Sequence, residues 1–239
     1  MTKFLVVSFL LFGSLTAQAQ AQDILTIHYA LRPPYVVSTP EKTIGGLVGG
    51  PIIRALEKAK IRYRLQQTPT SRQIVLVKNN QGTDCAVGWF KNEEREQFGQ
   101  FSDAIYTGGK MVLIANKKAS LNLIEDFSKI VHERSLRLLV KDLYSYGPYI
   151  DAEINRRTQM RVDRRVAEAD AMVKMVAAGR ADMMLASEEE AALLFGNPGT
   201  APLQIVRLSD VKNGEKRYLL CTRKVPEVWL TEFNAALGK

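Results

Sequence analysis

The stretch from Asp84 to Tyr106, DCAVGWFKNEEREQFGQFSDAIY, combines an apolar strand, a helix start and a second apolar segment. The first seven residues predict a buried strand. Asn92 is a good N-cap, and the glutamates after it suit the positive end of a helix dipole. Arg95 is unexpected, because it places a cation at the helix end that attracts anions. It is either an exposed residue that balances its acidic neighbours or an arginine that binds an anion.

Outward from this stretch, predicted strands and helices alternate. ILTIHYA (24–30) and IRYRLQQ (61–67) read as strands, whereas Pro51 is expected to open the helix IIRALEKA. Further on, MVLIANK and LRLLVKD are continuous apolar strands, and EVWLTEFNAAL is a closing helix. The SEEE segment that begins at Ser187 has the pattern of a capping box. This rhythm predicts an α/β fold with sheets covered by helices.

The N-terminus predicts export. One lysine, the apolar run FLVVSFLLFGSL and overlapping Ala-x-Ala sites indicate a secretory signal peptide over residues 1–21. The run is shorter than the roughly 20 residues that a membrane-spanning helix needs. We therefore expect a soluble periplasmic protein after cleavage.

Charge and residue spacing exclude several functions. The formal net charge is +8, but the basic residues are scattered, so nucleic acid is not an expected partner and small anions are favoured. His28 and His132 are the only histidines, which argues against a His-based triad or a zinc site. GGLVGG (45–50) lacks the spacing of a phosphate loop. We expect neither a metal nor a cofactor.

The two cysteines, Cys85 and Cys221, lie in apolar strand-like runs. Export permits a disulfide, but cysteines in such runs are more often small buried thiols. We expect the two to lie in different structural regions and to remain unpaired.

Three segments together resemble a known family. They are RPPY (32–35), the stretch 84–106 with its arginine and FSDAIY, and AAGRADMML (177–185). The chain is similar to the periplasmic solute-binding proteins of ABC transporters that bind polar amino acids, family 3 with the type 2 fold. The resemblance implies two α/β lobes, each a mixed sheet flanked by helices, joined by two crossover strands.

The same resemblance implies the lobe boundaries. The first lobe is expected to contain residues 23–107 plus 222–239, and the second lobe residues 108–221. The hinges are then expected near Tyr106–Gly109 and after Cys221.

The resemblance also implies a ligand site. Arg95 would hold the carboxylate of the ligand from the first lobe, where a guanidinium fork fits a carboxylate. Ser145 would touch that carboxylate from the second lobe, or it is an ordinary N-cap. Tyr35 and Trp89 are expected to border the cleft and contact the ligand's carbon skeleton, with core packing as the alternative.

Four positions concern the ligand's identity. Phe90 stands where the family usually has a hydroxyl residue, and Ser187 stands where amino-acid binders carry an aspartate for the ammonium group. Arg32 replaces a frequent aromatic residue, and with Arg72 it would add positive charge to the cleft. The ligand is therefore expected to be a small organic anion or an amino-acid-like solute.

Three functions remain open from the sequence. The first is a binding protein that delivers its solute to a membrane permease and catalyses no reaction. The second is a sensor that docks on a membrane receptor. The third is an enzyme similar to cyclohexadienyl dehydratase, which needs an acid with a raised pKa, and Glu188 is the candidate. We expect a monomer.

Overall fold

The computed structural model describes residues 24–119, 121, 124–156, 159–195 and 199–238, so the predicted signal peptide lies outside the described residues. The strands are β1 (Leu25–Tyr29), β2 (Val37–Ser38), β3 (Ile44–Gly45), β4 (Tyr63–Gln67), β5 (Asp84–Trp89), β6 (Gln100–Phe101), β7 (Tyr106–Thr107), β8 (Met111–Asn116), β9 (Arg137–Lys141), β10 (Arg161–Arg165), β11 (Met183–Ser187), β12 (Leu203–Arg207) and β13 (Lys216–Cys221). The helices are α1 (Gly46–Lys58), α2 (Thr70–Asn79), α3 (Glu93–Phe98), α4 (Phe127–Ile130), α5 (Pro148–Asn155), α6 (Ala169–Ala177), α7 (Glu188–Phe195) and α8 (Glu227–Leu237).

The first lobe is built on a mixed sheet with the strand order β4-β1-β5-β13-β6, and β7 also pairs with β13. Strands β4, β1 and β5 are parallel, whereas β13 runs antiparallel to β5. Helices α1 and α8 contribute to the core on one face, where Ile27 of β1 packs with Ile52, Leu56 and Phe233. Helix α2 contributes Val77 to a smaller cluster with Trp89. The predicted α/β class is confirmed.

The second lobe is built on a mixed sheet with the order β10-β9-β11-β8-β12. Every residue of β8 is buried. Successive strand residues point to opposite faces, so Leu113 and Ala115 join one core cluster while Val112 and Ile114 join the other. Helices on both faces of this sheet explain why MVLIANK is continuously apolar.

The two crossover segments touch each other. Strand β7 pairs with the start of β13, and the Gly108 amide donates to the Glu215 carbonyl at 3.0 Å. A Cβ atom on Gly214 would lie 1.7 Å from the Gly108 carbonyl oxygen, so only glycine allows this approach. All of β13 lies in the first sheet, so Lys216–Cys221 belongs with that sheet, whereas the prediction placed these residues in the second lobe. The remaining lobe boundaries stay a prediction.

The cysteine prediction is wrong, because Cys85 and Cys221 form a disulfide. Strand β13 pairs antiparallel with β5 and places the two residues directly opposite each other, with 4.0 Å between their Cα atoms. Both side chains are fully buried. The two apolar strands are far apart in sequence but adjacent in one sheet, which local sequence patterns do not reveal.

Helix boundaries follow the predicted signals with one difference. Asn92 caps α3, since its side chain accepts a hydrogen bond from the Arg95 amide, and α8 covers the predicted closing helix. Helix α1 begins at Gly46, so Pro51 lies inside the helix rather than at its first position. Within the described part of the chain, no helix is long and apolar enough to cross a membrane.

Candidate functional site

A cavity of about 50 Å³ lies between the lobes and is lined by side chains from both. Polar, charged and aromatic groups dominate its wall. The first lobe contributes Arg32, Tyr35, Trp89, Phe90, Arg95 and Arg217, and the second contributes Lys141, Tyr144, Ser145 and Glu168.

A tight turn after β1 positions Arg32 and Tyr35. The Arg32 carbonyl accepts hydrogen bonds from the amides of Tyr35 and Val36, and the Arg32 amide donates back to Val36. The Tyr35 carbonyl accepts from the amides of Val48 and Gly49 in the first turn of α1. These amides have no partner within the helix, so the helix start anchors the turn.

Tyr35 is one of the side chains that join the lobes. Its hydroxyl contacts Ser187 Oγ and donates to Glu189 Oε2 at 3.1 Å. Glu189 Oε1 accepts from the Tyr106 hydroxyl at 2.8 Å and from the Gly109 amide at 2.6 Å. Burial raises the pKa of Tyr35 to about 12. Neutral Tyr35 therefore links the cleft to the first crossover segment.

Arg32 forms another link between the lobes. Its Nε and Nη2 donate to the two carboxylate oxygens of Glu190 at 2.5 and 2.8 Å. Its Nη1 donates to the Tyr144 hydroxyl, and the guanidinium carbon lies 4.5 Å from the centre of the Tyr144 ring. Burial opposes ionisation of Glu190, but the Arg32 charge outweighs this and lowers the pKa of that carboxyl. The pair is therefore ionised.

Ser187 and Glu190 also form the predicted capping box at the start of α7. The Glu190 amide donates to Ser187 Oγ, and the Ser187 amide donates to Glu190 Oε2, each at 3.3 Å. The prediction of a capping box is confirmed. One carboxylate therefore caps a helix and holds Arg32.

Arg95 is buried, with 7% of its surface exposed. Its Nη1 donates to the Phe90 carbonyl at 2.7 Å, and its guanidinium carbon lies 4.7 Å from the centre of the Trp89 ring. No carboxylate among the described residues forms an ion pair with it. Burial lowers the pKa of Arg95. The explanation of an exposed arginine that balances acidic neighbours is wrong, because the side chain is buried against Trp89 and the Phe90 carbonyl at the end of β5.

Trp89 and Phe90 form the apolar wall beside Arg95, and both are buried. The Trp89 indole donates to Gln73 Oε1 at 2.9 Å, which fixes the ring. The Phe90 ring packs at 6.2 Å from the Tyr144 ring of the other lobe. These aromatic residues therefore both pack in the fold and line the cavity.

Ser145 lines the cavity from the second lobe but is not an N-cap. Gly147 occupies that position before α5. Ser145 Oγ donates to Asp151 Oδ2 at 2.5 Å, and the Tyr146 amide donates to Asp151 Oδ1 at 2.9 Å. The helix begins at Pro148, so the serine lies two residues too early for the N-cap and instead bonds a carboxylate within the helix. Burial raises the pKa of Asp151, against the effect of the Ser145 hydrogen bond.

Three residues from the sequence analysis lie outside the cavity. Ser187 is buried against the Tyr35 hydroxyl and does not line the wall. Arg72 is exposed on α2 and does not line the wall. Glu188 is exposed at the start of α7, where its carboxylate accepts from the Lys110 amide at 3.2 Å. Arg72 therefore adds no charge to the cavity wall. Glu188 is not the buried acid that a dehydratase-like reaction needs.

Sequence reasoning missed Arg217 and Tyr144. Arg217 is 2% exposed, and its guanidinium carbon lies 3.7 Å from the centre of the Tyr35 ring. The available signal was an arginine within the apolar strand RYLLC. Strand alternation alone does not predict which face of the sheet Arg217 lies on, because the β13–β5 register shifts between Tyr218 and Leu219.

No protein-family model matches the chain, and no curated protein matches it. Solved structures do. A putative L-cystine ABC transporter protein from Listeria monocytogenes superposes with a TM-score of 0.70 at 16% identity, over 90% of this chain and 89% of that one. The BvgS VFT2 domain of Bordetella pertussis, as a double mutant, gives 0.69 at 18% identity, over 92% and 88%.

A third structure is the ancestral amino acid-binding protein AncCDT-1, described as a precursor of cyclohexadienyl dehydratase. It superposes with a TM-score of 0.66 at 17% identity, over 90% of this chain and 88% of that one. These likenesses cover nearly the whole described chain. The chain therefore has the two-lobed α/β fold of the type 2 periplasmic-binding proteins, as the sequence resemblance implied.

Proposed function

We propose that this protein is a periplasmic solute-binding protein that captures a small carboxylate-bearing solute between its lobes and delivers it to a membrane permease. The observation that carries the proposal is the buried guanidinium of Arg95. It lines the cavity between the lobes and has a carbonyl oxygen and an indole ring as partners, with no carboxylate among the described residues.

Arg95 suits a carboxylate for a physical reason. A guanidinium presents planar N–H donors that match the two oxygens of a carboxylate, and charge-assisted hydrogen bonds are the strong ones. Burial disfavours the charged form of Arg95, and an anionic ligand offsets that cost. Ser145 faces the same cavity from the second lobe, and its hydroxyl would donate to the ligand's carboxylate only by giving up the hydrogen bond to Asp151.

We further propose that the ligand is released unchanged. A dehydratase-like reaction needs an acid that can donate a proton to the ligand. Glu188 is exposed, and Glu190 is held ionised by Arg32. Asp151 has a raised pKa, but both of its oxygens accept hydrogen bonds from neighbouring groups. These positions favour binding over catalysis.

The test begins with identification of the ligand. Native mass spectrometry of protein purified without denaturation would identify a solute carried over from the cell. Calorimetry with that solute would then compare wild type, Arg95→Ala and Arg95→Lys, with the exposed Arg72→Ala as the matched control. Loss of one partner of a buried charged pair costs about 2–5 kcal/mol. We expect Arg95→Ala to lose more than about tenfold in affinity, with smaller loss for Arg72→Ala.

Equal affinity of Arg95→Ala and wild type would disprove that Arg95 holds the carboxylate of the ligand. Formation of a product during the titration would favour the enzyme instead. Delivery to a permease predicts that the loaded protein stimulates ATP hydrolysis by the reconstituted transporter, whereas a sensor would bind its receptor without that stimulation.

A further inference from the structure

Arg217 is a second buried cation on the cavity wall. Its guanidinium carbon lies 3.7 Å from the centre of the Tyr35 ring and 4.7 Å from that of the Phe90 ring. Its Nη1 donates to the Gly88 carbonyl at 3.3 Å, while its buried Nε has no hydrogen-bond partner. Within the described residues it forms no ion pair with a carboxylate. Ring stacking leaves the edge of the guanidinium available for an anion.

The other charges of the cavity compensate one another. Arg32 is bound at both carboxylate oxygens of Glu190, and Lys141 Nζ donates to Glu168 Oε2 at 2.9 Å. Among the described residues that line the cavity, Arg95 and Arg217 are then the two cations without an ion pair. Uncompensated charges removed from water are costly, and an opposite charge brought by a ligand offsets that cost.

We infer that the ligand is a dicarboxylate without an ammonium group, with one carboxylate on Arg95 and the other on Arg217. This inference rests on the proposed function and adds the class of the solute. A monocarboxylate would leave one guanidinium uncompensated, whereas a dicarboxylate matches both.

The absence of an ammonium group follows from the same charges. An ammonium group that leaves water needs an anionic or strongly accepting partner. Both oxygens of Glu190 already accept from Arg32, and Glu168 accepts from Lys141. The carbonyls of Phe90 and Gly88 accept from the two arginines themselves. An ammonium beside two guanidiniums would therefore meet repulsion with little to balance it.

Affinities for matched probes test this inference. Succinate, glutarate and adipate are compared with butyrate, valerate and hexanoate, which have the same carbon chains with one carboxylate. L-glutamate is compared with glutarate, from which it differs by the ammonium group. We expect wild type to bind one of the diacids at least about thirtyfold more tightly than its monoacid, and to prefer glutarate over L-glutamate.

Variants separate this inference from the proposed function. Arg217→Met keeps an apolar stem between the two rings, so it should bind the preferred diacid no better than wild type binds the monoacid, while its monoacid affinity changes less than about twofold. Arg95→Met should weaken both probes. Arg217→Gln also removes the charge but keeps a polar side chain, and it supplies the same comparison if Arg217→Met does not give a cooperative thermal transition.

The possible outcomes are distinct. Preference for L-glutamate over glutarate, or equal binding of diacids and monoacids by wild type, would overturn the inference. Equal losses for diacid and monoacid in both Arg217 variants would also overturn it, because they would assign Arg217 a purely structural role. If Arg95→Met also leaves binding unchanged, the proposed function fails as well. Loss with Arg95→Met and none with Arg217→Met ends only the present inference.

Discussion

Glu190→Gln is expected to open the cleft. The substitution removes the negative charge that holds Arg32 across the lobes, while its amide oxygen can still accept from the Ser187 amide. Glutamine serves at this position of a capping box as well as glutamate does. The start of α7 should therefore remain intact, and the effect should fall on the contact between the lobes.

The magnitude follows from the geometry of the pair. Two hydrogen bonds of 2.5 and 2.8 Å join Arg32 to Glu190, whose side chain is 5% exposed, while that of Arg32 is 24% exposed. Hydrogen bonds to charged groups contribute about 1.5–3 kcal/mol. Glutamine retains one neutral acceptor, and water reaches part of Arg32, so we expect a loss of about 2 kcal/mol. The ratio of closed to open molecules should fall about thirtyfold.

Small-angle X-ray scattering of the ligand-free protein measures this change as an increase in the radius of gyration. Glu94→Gln is the matched control, because the Lys78–Glu94 pair has a similar distance of 2.9 Å but side chains that are 47% and 70% exposed. Such exposed pairs contribute about 1 kcal/mol or less. Scattering curves of Glu190→Gln and wild type that superpose would refute the reasoning.

Three further predictions concern the cavity wall, the disulfide and pH. Trp89→Phe should abolish the change in tryptophan fluorescence on ligand binding, whereas Trp229→Phe should retain it. If Trp89→Phe shows the same fluorescence change as wild type, the ligand does not contact Trp89. Reduction of the Cys85–Cys221 disulfide, or replacement of both cysteines by alanine, should lower the free energy of unfolding by about 2–5 kcal/mol, because the bond closes a loop with a sequence separation of 136. Urea denaturation measures this change. An identical urea midpoint with and without reductant would count against the prediction. Burial raises the pKa of Asp151 in the folded protein. The free energy of unfolding should therefore fall as pH rises through that folded-state pKa and the carboxylate ionises. Asp151→Asn should therefore raise Tm at neutral pH and much less below the unfolded-state pKa, and an equal shift at both pH values would argue against this cause.

The fold was predictable because its signals are local. Alternating strands and helices, the Asn92 cap and the capping box at Ser187 each depend on a few neighbouring residues. The disulfide was not predictable in this way. It depends on β13 returning to the first sheet beside β5, a pairing between strands separated by the whole second lobe.

The candidate site was predictable only in part for the same reason. Arg95 stood out because its sign conflicts with its helix position. Arg217 carries no such conflict, and its orientation depends on the irregular register of β13. The pairing of Arg32 with Glu190 depends on how the two lobes meet, because their side chains come from segments with a sequence separation of 158.

Glu190 connects the architecture of the cleft with its selectivity. An amino-acid binder needs a carboxylate for the ligand's ammonium, and Glu190 is the buried acid nearest to Ser187, where such an acid was expected. Its oxygens already accept from the Arg32 guanidinium, the Ser187 hydroxyl and the Ser187 amide. An ammonium could use this carboxylate only by displacing Arg32, which would expose a third uncompensated cation in the cavity. Among the described residues the capping box therefore holds this buried acid in a role that, under the proposed function, favours anions over amino acids.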